Sequence, residues 1–201
     1  MVSFVGMMAG FPYNGGMLGN TKPKHYLEKV SPQGQGRPLD TGILFLHGLE
    51  SHSDWWQPLI AELKEQMGLP LFRYDRTGWG RSPGQRGHIS SLEECSAELF
   101  DLTGEFCPQV TRWHLVGMSW GGLFALHLTK RYPDKWHSTV LLSPGIFPKA
   151  RSWRDTWPLV KACYWGGVKA APVGFSAAEF CRSAGGQKYV QEDPWRRQQV
   201  S

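Results

Sequence analysis

The most constraining feature of the chain is the segment Gly117-Met118-Ser119-Trp120-Gly121, which lies between a short apolar run and a stretch of helical character. This G-x-S-x-G pattern is typical of a serine on a sharp turn from a strand into a helix. Such a turn brings the backbone on either side of the serine into close contact, so glycine is needed where a Cβ would clash. The helix N-terminus would direct backbone N–H groups at the serine and favour negative charge there. A glycine-rich turn without chemistry is the alternative interpretation.

Apolar runs and amphipathic stretches alternate from residue 43 to residue 145 in the order β-α-β-α-β-α-β. This alternation predicts an α/β fold in which a mostly parallel sheet carries helices on both faces. Every chemically suggestive turn follows a predicted strand, at the edge where open α/β sheets bind their ligands. The predicted strands are residues 25–30, 43–46, 69–74, the run before Ser119 and residues 139–142, and the predicted helices are residues 54–67, 92–106 and 120–131.

Local signals mark the ends of these helices. Either Ser53 or Asp54 is predicted to cap the first helix, because both residue types accept a hydrogen bond from a free backbone N–H. Gly68 is predicted to end that helix. The serines and glutamates of residues 90–94 predict a capping box at the start of the second helix.

The net charge of +5 comes from the last 57 residues, because residues 1–144 hold 13 basic and 13 acidic side chains while residues 145–201 hold nine and four. These basic residues are dispersed and no nucleic-acid-binding motif accompanies them, so we expect no nucleic acid partner. A solvated face is the simplest interpretation, and peripheral contact with an anionic lipid surface is the alternative. Aromatic side chains at helical spacing in residues 149–167 predict an amphipathic helix.

The composition, 41% hydrophobic and 19% charged, is typical of a globular protein. No apolar run approaches the ~20 residues of a membrane span. No basic residue precedes Lys22, which argues against a secretory signal. The four cysteines lack C-x-x-C spacing and are interpreted as reduced thiols of a cytoplasmic protein. The sequence holds neither a metal-ligand cluster nor a phosphate-binding loop, so we expect no metal and no cofactor.

Several motifs occur in a fixed order, each at the end of a predicted strand or in the loop that follows. They resemble the α/β-hydrolase superfamily, and within it the group of monoacylglycerol lipases, lysophospholipases and serine-aminopeptidase-like enzymes. The resemblance covers residues 40–145 well and the remainder loosely. It implies an α/β-hydrolase core at residues 1–145 and the beginning of a helical cap or lid at 146–201. The motifs are His47-Gly48, Asp75-Arg76-Thr77-Gly78-Trp79-Gly80-Arg81-Ser82, Arg86-Gly87-His88 and Gly117-Met118-Ser119-Trp120-Gly121-Gly122.

The resemblance also implies roles. Ser119 would be the nucleophile, and the backbone N–H groups of Leu49 and Trp120 would form the oxyanion hole, each contributing about 3 kcal/mol of transition-state stabilisation. The implied reaction is hydrolysis of a carboxylic ester, monoacylglycerol- or lysophospholipid-like, through an acyl-enzyme. Amide hydrolysis by an aminopeptidase-type enzyme uses the same groups and stays open. A serine at this turn argues against dehalogenases and epoxide hydrolases of the same fold, which carry aspartate there.

Other motif residues are assigned supporting roles. The resemblance implies that Asp75, Gly78 and Gly80 shape a turn beside the site. It implies a structural role for the side chain of His47 and a loop-packing role for His88. The remaining histidines, His25, His52 and His114 among them, have no partner at a usable spacing.

The sequence departs from the family in the groups that would activate Ser119. A serine nucleophile needs a histidine to take its proton and an acid to hold that histidine. In this family both follow the cap, yet no histidine follows His137, and Asp155 and Asp193 fall in the cap-like segment. Three interpretations are open: a C-terminally truncated copy of a serine hydrolase, a noncatalytic binding protein of the same fold, or an active enzyme with an unusual base such as His127 or His137.

Overall fold

The computed structural model describes residues 25–30, 40–89, 91–146, 171–172 and 175–200. The predicted aromatic helix at residues 149–167 lies outside these residues. Asp155 and Cys163 lie outside them as well.

The strands form one sheet of five and a separate pair. They are β1 (Tyr26–Val30), β2 (Thr41–Leu46), β3 (Leu71–Asp75), β4 (Arg112–Met118), β5 (Trp136–Leu142), β6 (Ala171–Pro172) and β7 (Gln199–Val200). The large sheet has the order β1-β3-β2-β4-β5, and β6 pairs with β7. Strands β2 to β5 run parallel and β1 runs antiparallel to β3, so the predicted mostly parallel sheet is confirmed.

Helices cover both faces of the large sheet, as predicted. They are α1 (Gln57–Met67), α2 (Leu92–Phe106), α3 (Trp120–Arg131), α4 (Ala177–Phe180) and α5 (Ala184–Glu192), with a 3-10 turn at Ser53–Trp56 before α1. In β2, Leu44 and Leu46 join a core with α2 and α3, while Ile43 and Phe45 join a core with α1. Burial on both faces explains why this strand reads as a continuous apolar run. Within the described ranges, no helix is long and apolar enough to cross a membrane.

The predicted end of α1 is confirmed, the predicted capping box of α2 is confirmed only for its serine cap, and the predicted cap of the first helix is wrong. Gly68 ends α1 in the left-handed conformation, at φ 60°. Ser91 caps α2 by accepting a hydrogen bond from the Glu94 N–H at 3.1 Å. The predicted cap by Ser53 or Asp54 is wrong, because His52 Nδ1 accepts from the Asp54 N–H. The carboxylate of Asp54 is instead engaged by two arginines of the neighbouring loops and strands, Arg73 and Arg81.

Strand β5 begins three residues earlier than predicted, at Trp136 rather than at residue 139. The polar residues His137 and Ser138 hide it from a search for apolar runs, although backbone pairing with β4 continues through them, interrupted by an irregularity. The strand is the edge of the sheet as described. Its Val140 is 48% exposed, although the facing residue of β4, Val116, packs against the α1 core.

Candidate active site

Ser119 occupies a strained turn between β4 and α3. Its backbone lies at φ 54° and ψ −118°, a sparsely populated region that costs a non-glycine residue about 1–3 kcal/mol. The residue is exposed rather than packed into the core. Its carbonyl accepts hydrogen bonds from the N–H groups of Gly122 (3.0 Å), Leu123 (3.2 Å) and Gly145 (3.1 Å). Because the surrounding backbone fixes the turn, the side chain at this position projects outward without needing contacts of its own.

The glycines of the motif are required for the close approach predicted from the sequence. A Cβ on Gly117 would lie 2.3 Å from the Gly121 carbonyl oxygen. A Cβ on Gly121 would lie 2.2 Å from the Leu46 carbonyl oxygen and 2.6 Å from that of His47. Such distances are far below van der Waals contact. The start of α3 therefore packs directly on the backbone where β2 ends, which brings the loop after β2 beside Ser119.

The peptide group between Gly48 and Leu49 is anchored by its carbonyl. The Gly48 carbonyl accepts hydrogen bonds from Arg76 Nη2 at 3.1 Å and from His47 Nδ1 at 2.8 Å. In a trans peptide the N–H points opposite to the carbonyl, so the Leu49 N–H points away from Arg76. A Cβ on Gly48 would lie 3.4 Å from Ser119 Cβ, which places this peptide group beside the serine. No residue in the described part of the chain accepts a hydrogen bond from the Leu49 N–H.

The peptide group between Ser119 and Trp120 is anchored in the same way. Three amides hold the Ser119 carbonyl, and the Trp120 N–H on the opposite side is the first of α3. The first four N–H groups of a helix have no acceptor within the helix. The two peptide groups that the resemblance assigns to the oxyanion hole are thus both fixed through their carbonyls and both adjoin Ser119.

Arg76 connects the loop after β2 with Trp120 at the start of α3. The sequence analysis did not single it out. Its buried guanidinium donates to the carbonyls of Gly48 and Leu49 at 3.1 Å each, and it stacks over the rings of Trp79 at 3.9 Å and Trp120 at 4.3 Å. Burial lowers the pKa of Arg76 to about 9, although nearby acidic groups act in the opposite direction. The side chain therefore stays protonated at neutral pH and orients the loop after β2. Its only local signal is its position immediately after a strand.

The turn from Asp75 to Ser82 has the structural role that the resemblance implied. The buried Asp75 carboxylate accepts from the Ser53 N–H at 2.6 Å and from the Arg81 N–H at 2.9 Å. A Cβ on Gly80 would lie 2.2 Å from Asp75 Oδ2, and Gly78 adopts φ 81°. The carboxylate thus fastens the turn to the loop after β2 and is not available for acid–base chemistry.

His47 is buried and structural. Its Nε2 lies 3.3 Å from the Arg76 N–H, which assigns the ring proton to Nδ1, the donor to the Gly48 carbonyl. Burial and, secondarily, the charge of Arg76 hold the pKa of His47 well below its usual value. A neutral imidazole at this place supports the Gly48 peptide without competing for a substrate proton.

The histidines form no base–nucleophile pair with Ser119 in the described part of the chain. All seven histidines of the chain lie in the described ranges, and none is hydrogen-bonded to the Ser119 side chain. His137 lies at the opposite end of β5 from Ser119, about 16 Å away along the strand. His127 lies seven residues along α3 from Trp120, about 10 Å away. The interpretation that either of these two histidines is an unusual base is therefore wrong.

The segment 175–197 packs against the loop after β2, a contact that the sequence did not predict. The Glu50 carboxylate binds the Arg196 guanidinium, at 2.6 Å from Nη2. Asp193 accepts from His52 Nε2 at 2.9 Å and from Trp55 Nε1 at 2.6 Å. Each pair is separated by more than 130 residues in sequence, so no local spacing signals it. In the described part of the chain, no group of three or more histidine, cysteine or acidic side chains is placed to hold a metal ion.

Comparison with known proteins assigns the chain to a family. A family model described as serine aminopeptidase, S33, matches residues 38–201. The chain is 32% identical over 122 residues to lipase LipV of Mycobacterium tuberculosis, covering 60% of this chain and 42% of that protein. It is 32% identical over 101 residues to a putative carbamate hydrolase, RutD, of Pantoea ananatis, covering 50% of this chain and 35% of that protein.

A solved structure gives the same result for the fold. The monoacylglycerol lipase of Paleococcus ferrophilus superimposes with a TM-score of 0.71 at 27% identity, over 88% of this chain and 65% of that chain. The chain spans less than half of the length of the two curated relatives named above. The family match covers most of the chain, and the sheet and helices agree with the α/β-hydrolase fold. The chain belongs to the serine aminopeptidase S33 family of α/β hydrolases.

Proposed function

We propose that this protein hydrolyses carboxylic esters through an acyl-enzyme on Ser119. The observation that carries the proposal is the exposed, strained serine between two peptide groups whose carbonyls are fixed by other partners. The N–H groups of Leu49 and Trp120 would then receive the charge that develops on the substrate carbonyl oxygen. Preorganised donors of this kind contribute about 3 kcal/mol each to transition-state stabilisation.

The reaction has two steps. Ser119 Oγ forms a bond to the substrate carbonyl carbon, the ester C–O bond breaks, and the serine proton leaves with the alcohol. Water then attacks the acyl-enzyme, releases the carboxylic acid and restores the serine hydroxyl. A base must relay both protons, and no histidine of this chain contacts Ser119.

We propose a monoacylglycerol- or lysophospholipid-like substrate. The support is the 27% identity to a monoacylglycerol lipase over most of the chain and the excess of basic residues after residue 145. In this proposal, residues 146–201 begin a cap over the acyl chain, and their positive charge favours contact with anionic lipid. The free thiol of the buried Cys107 fits a reducing, cytoplasmic location.

Covalent labelling of the full-length protein with a fluorophosphonate tests the nucleophile. Ser119 Oγ should displace fluoride from phosphorus, and mass spectrometry should find the adduct on this residue alone. Ser119→Ala should abolish labelling. Ser143→Ala is the matched control, because Ser143 is also exposed and also has a positive φ, at 43°, and this variant should label as the wild type does.

The outcomes separate the competing functions. Labelling that survives in Ser119→Ala removes Ser119 as the nucleophile, and a full-length protein that is not labelled at all favours a noncatalytic binding protein. For substrate class, long-chain monoacylglycerols should be turned over faster than short acetyl esters or aminoacyl amides. Preference for aminoacyl amides would assign an aminopeptidase instead.

A further inference from the structure

Glu50 is the residue directly after Leu49, and its side chain is fully buried in an ion pair. Glu50 Oε2 accepts hydrogen bonds from Arg196 Nε at 2.8 Å and Nη2 at 2.6 Å. The exposed fraction is 0% for the Glu50 side chain and 5% for that of Arg196. Both charges are thus removed from water, and a buried charge that loses its partner is strongly unfavourable.

The same pair connects the backbones of the two segments. Glu50 Oε1 accepts from the Phe175 N–H at 3.3 Å, and Arg196 Nη2 donates to the Phe175 carbonyl at 2.6 Å. The Arg197 N–H donates to the Glu50 carbonyl at 2.9 Å. Side chains and backbone therefore fix residue 50 against residues 175–197 from several directions.

A second group of contacts holds the other end of the same loop. Asp193 accepts from His52 Nε2 and Trp55 Nε1, and the Trp55 ring packs edge-on against Phe180 with centroids 5.2 Å apart. The loop between β2 and α1 is therefore held on one side by Arg76 and on the other by residues 175–197.

Leu49 lies between these two sets of contacts. Its carbonyl accepts from Arg76 Nη2 at 3.1 Å and from Trp79 Nε1 at 2.6 Å, while the next residue is held by Arg196. We propose that Glu50 and Arg196 are positioning residues that fix the Leu49 N–H for the oxyanion, so that residues 175–197 are part of the support of the active site. This inference rests on the function proposed above.

The test compares Glu50→Gln with Glu28→Gln in the full-length protein. Glu28 is the control, because it pairs at 2.6 Å with Arg73, which is also 5% exposed. Arg73 contacts Ser53 and Asp54 rather than residues 48–50. We expect Glu50→Gln to lower kcat and the phosphonylation rate of Ser119 at least tenfold, with KM changed less than twofold. Glu28→Gln should change all three less than twofold. Hydrogen exchange at residues 48–50 should accelerate in Glu50→Gln only.

Arg196→Lys provides a second test of the inference in case Glu50→Gln does not fold. Arg196→Lys keeps the charge but loses the guanidinium that spans Glu50 and Phe175, and we expect a three- to tenfold fall in phosphonylation. Unchanged kcat and phosphonylation in Glu50→Gln, or equal losses in Glu50→Gln and Glu28→Gln, would overturn the inference, as would unchanged phosphonylation in Arg196→Lys. If the wild type is not labelled, the proposed function fails. Hydrogen exchange then decides the inference alone: acceleration confined to Glu50→Gln supports it and no acceleration overturns it.

Discussion

Gly121 is the residue at which the serine turn meets the end of β2. Its Cα faces the carbonyl oxygens of Leu46 and His47, and the space for a methyl group is occupied by backbone atoms that belong to the sheet. A larger residue would therefore have to displace either α3 or the loop that carries Leu49. The position links the proposed nucleophile to its proposed oxyanion donors through backbone contact alone.

We expect Gly121→Ala to lower the free energy of unfolding by about 2–4 kcal/mol, because the backbone has no room for the added methyl group. Urea unfolding measures this change, and fluorophosphonate labelling should be lost in parallel. Gly104→Ala in α2 is the control, since a Cβ there meets nothing within 4 Å. Removing a helical glycine should stabilise the protein by about 0.5–1 kcal/mol. Similar free energies for the two variants would contradict the argument.

At the scale of single residues, the sequence predicts functional groups whose neighbours in the site are close in sequence. It misses those whose partners are distant in sequence. Ser119 and its glycines follow from a five-residue pattern because the turn imposes its own spacing. Arg76, Glu50 and His52 were missed as supports of the site because their partners lie between 27 and 146 residues away. No periodicity or motif encodes such a pairing, and only the folded chain brings these groups together.

Among the elements, β5 departs most from what its sequence suggests. Its apolar residues identify the second half, but the polar residues His137 and Ser138 follow Trp136 in the first half, where pairing with β4 holds the strand. Strand β2 is predicted well because burial on both faces leaves a continuous apolar run at residues 43–46. The edge strand exposes Val140, and an exposed apolar strand edge favours association between molecules.

A lysine on this edge should reduce association of the 201-residue chain. We expect Val140→Lys to lower light scattering on storage, because an edge charge opposes strand pairing between molecules, and to change the free energy of unfolding by less than about 0.5 kcal/mol. Val116→Lys is the control, since Val116 faces Val140 across the strands but packs against the α1 core. It should cost about 2 kcal/mol or more. Unchanged scattering in Val140→Lys would argue that β5 is not the associating edge.

Across the whole molecule, the contact between the loop after β2 and residues 175–197 makes folding sensitive to acid. Burial raises the pKa of Asp193, but the hydrogen bond and charge of His52 and the hydrogen bond from Trp55 outweigh it, so the pKa lies below its usual value. A carboxyl whose folded pKa is depressed contributes stability above its unfolded pKa of about 4 and loses that stability as pH falls through the folded pKa.

We therefore expect the free energy of unfolding to fall as pH drops from about 5 towards 3, with protonation of Asp193 contributing to the fall. Asp193→Asn should be less stable than the wild type at pH 7 and should show a shallower decline below pH 5. Urea unfolding at a series of pH values measures both effects. Asp134→Asn, an exposed residue before β5, should decline as the wild type does. Parallel declines for all three proteins would show that Asp193 does not carry the acid sensitivity.

The order and direction of the strands and helices were predictable from the sequence, whereas the packing of residues 175–197 against the loop after β2 was not. Alternating strands and helices leave only a few right-handed arrangements, so the parallel sheet follows from the pattern. A buried ion pair such as Glu50–Arg196 leaves no trace in composition, because each residue alone resembles a solvated surface charge.

The ion pair also limits how a substrate can reach Ser119. A segment fastened by Glu50–Arg196 at one place and by His52–Asp193 at another cannot swing aside as a hinged gate while the loop stays in place. Any opening movement must therefore either leave residues 175–197 behind or take the loop with it. In the second case, an acyl chain could enter only while the loop that carries Leu49 is displaced from Ser119. Substrate entry and reaction would then occur in alternation.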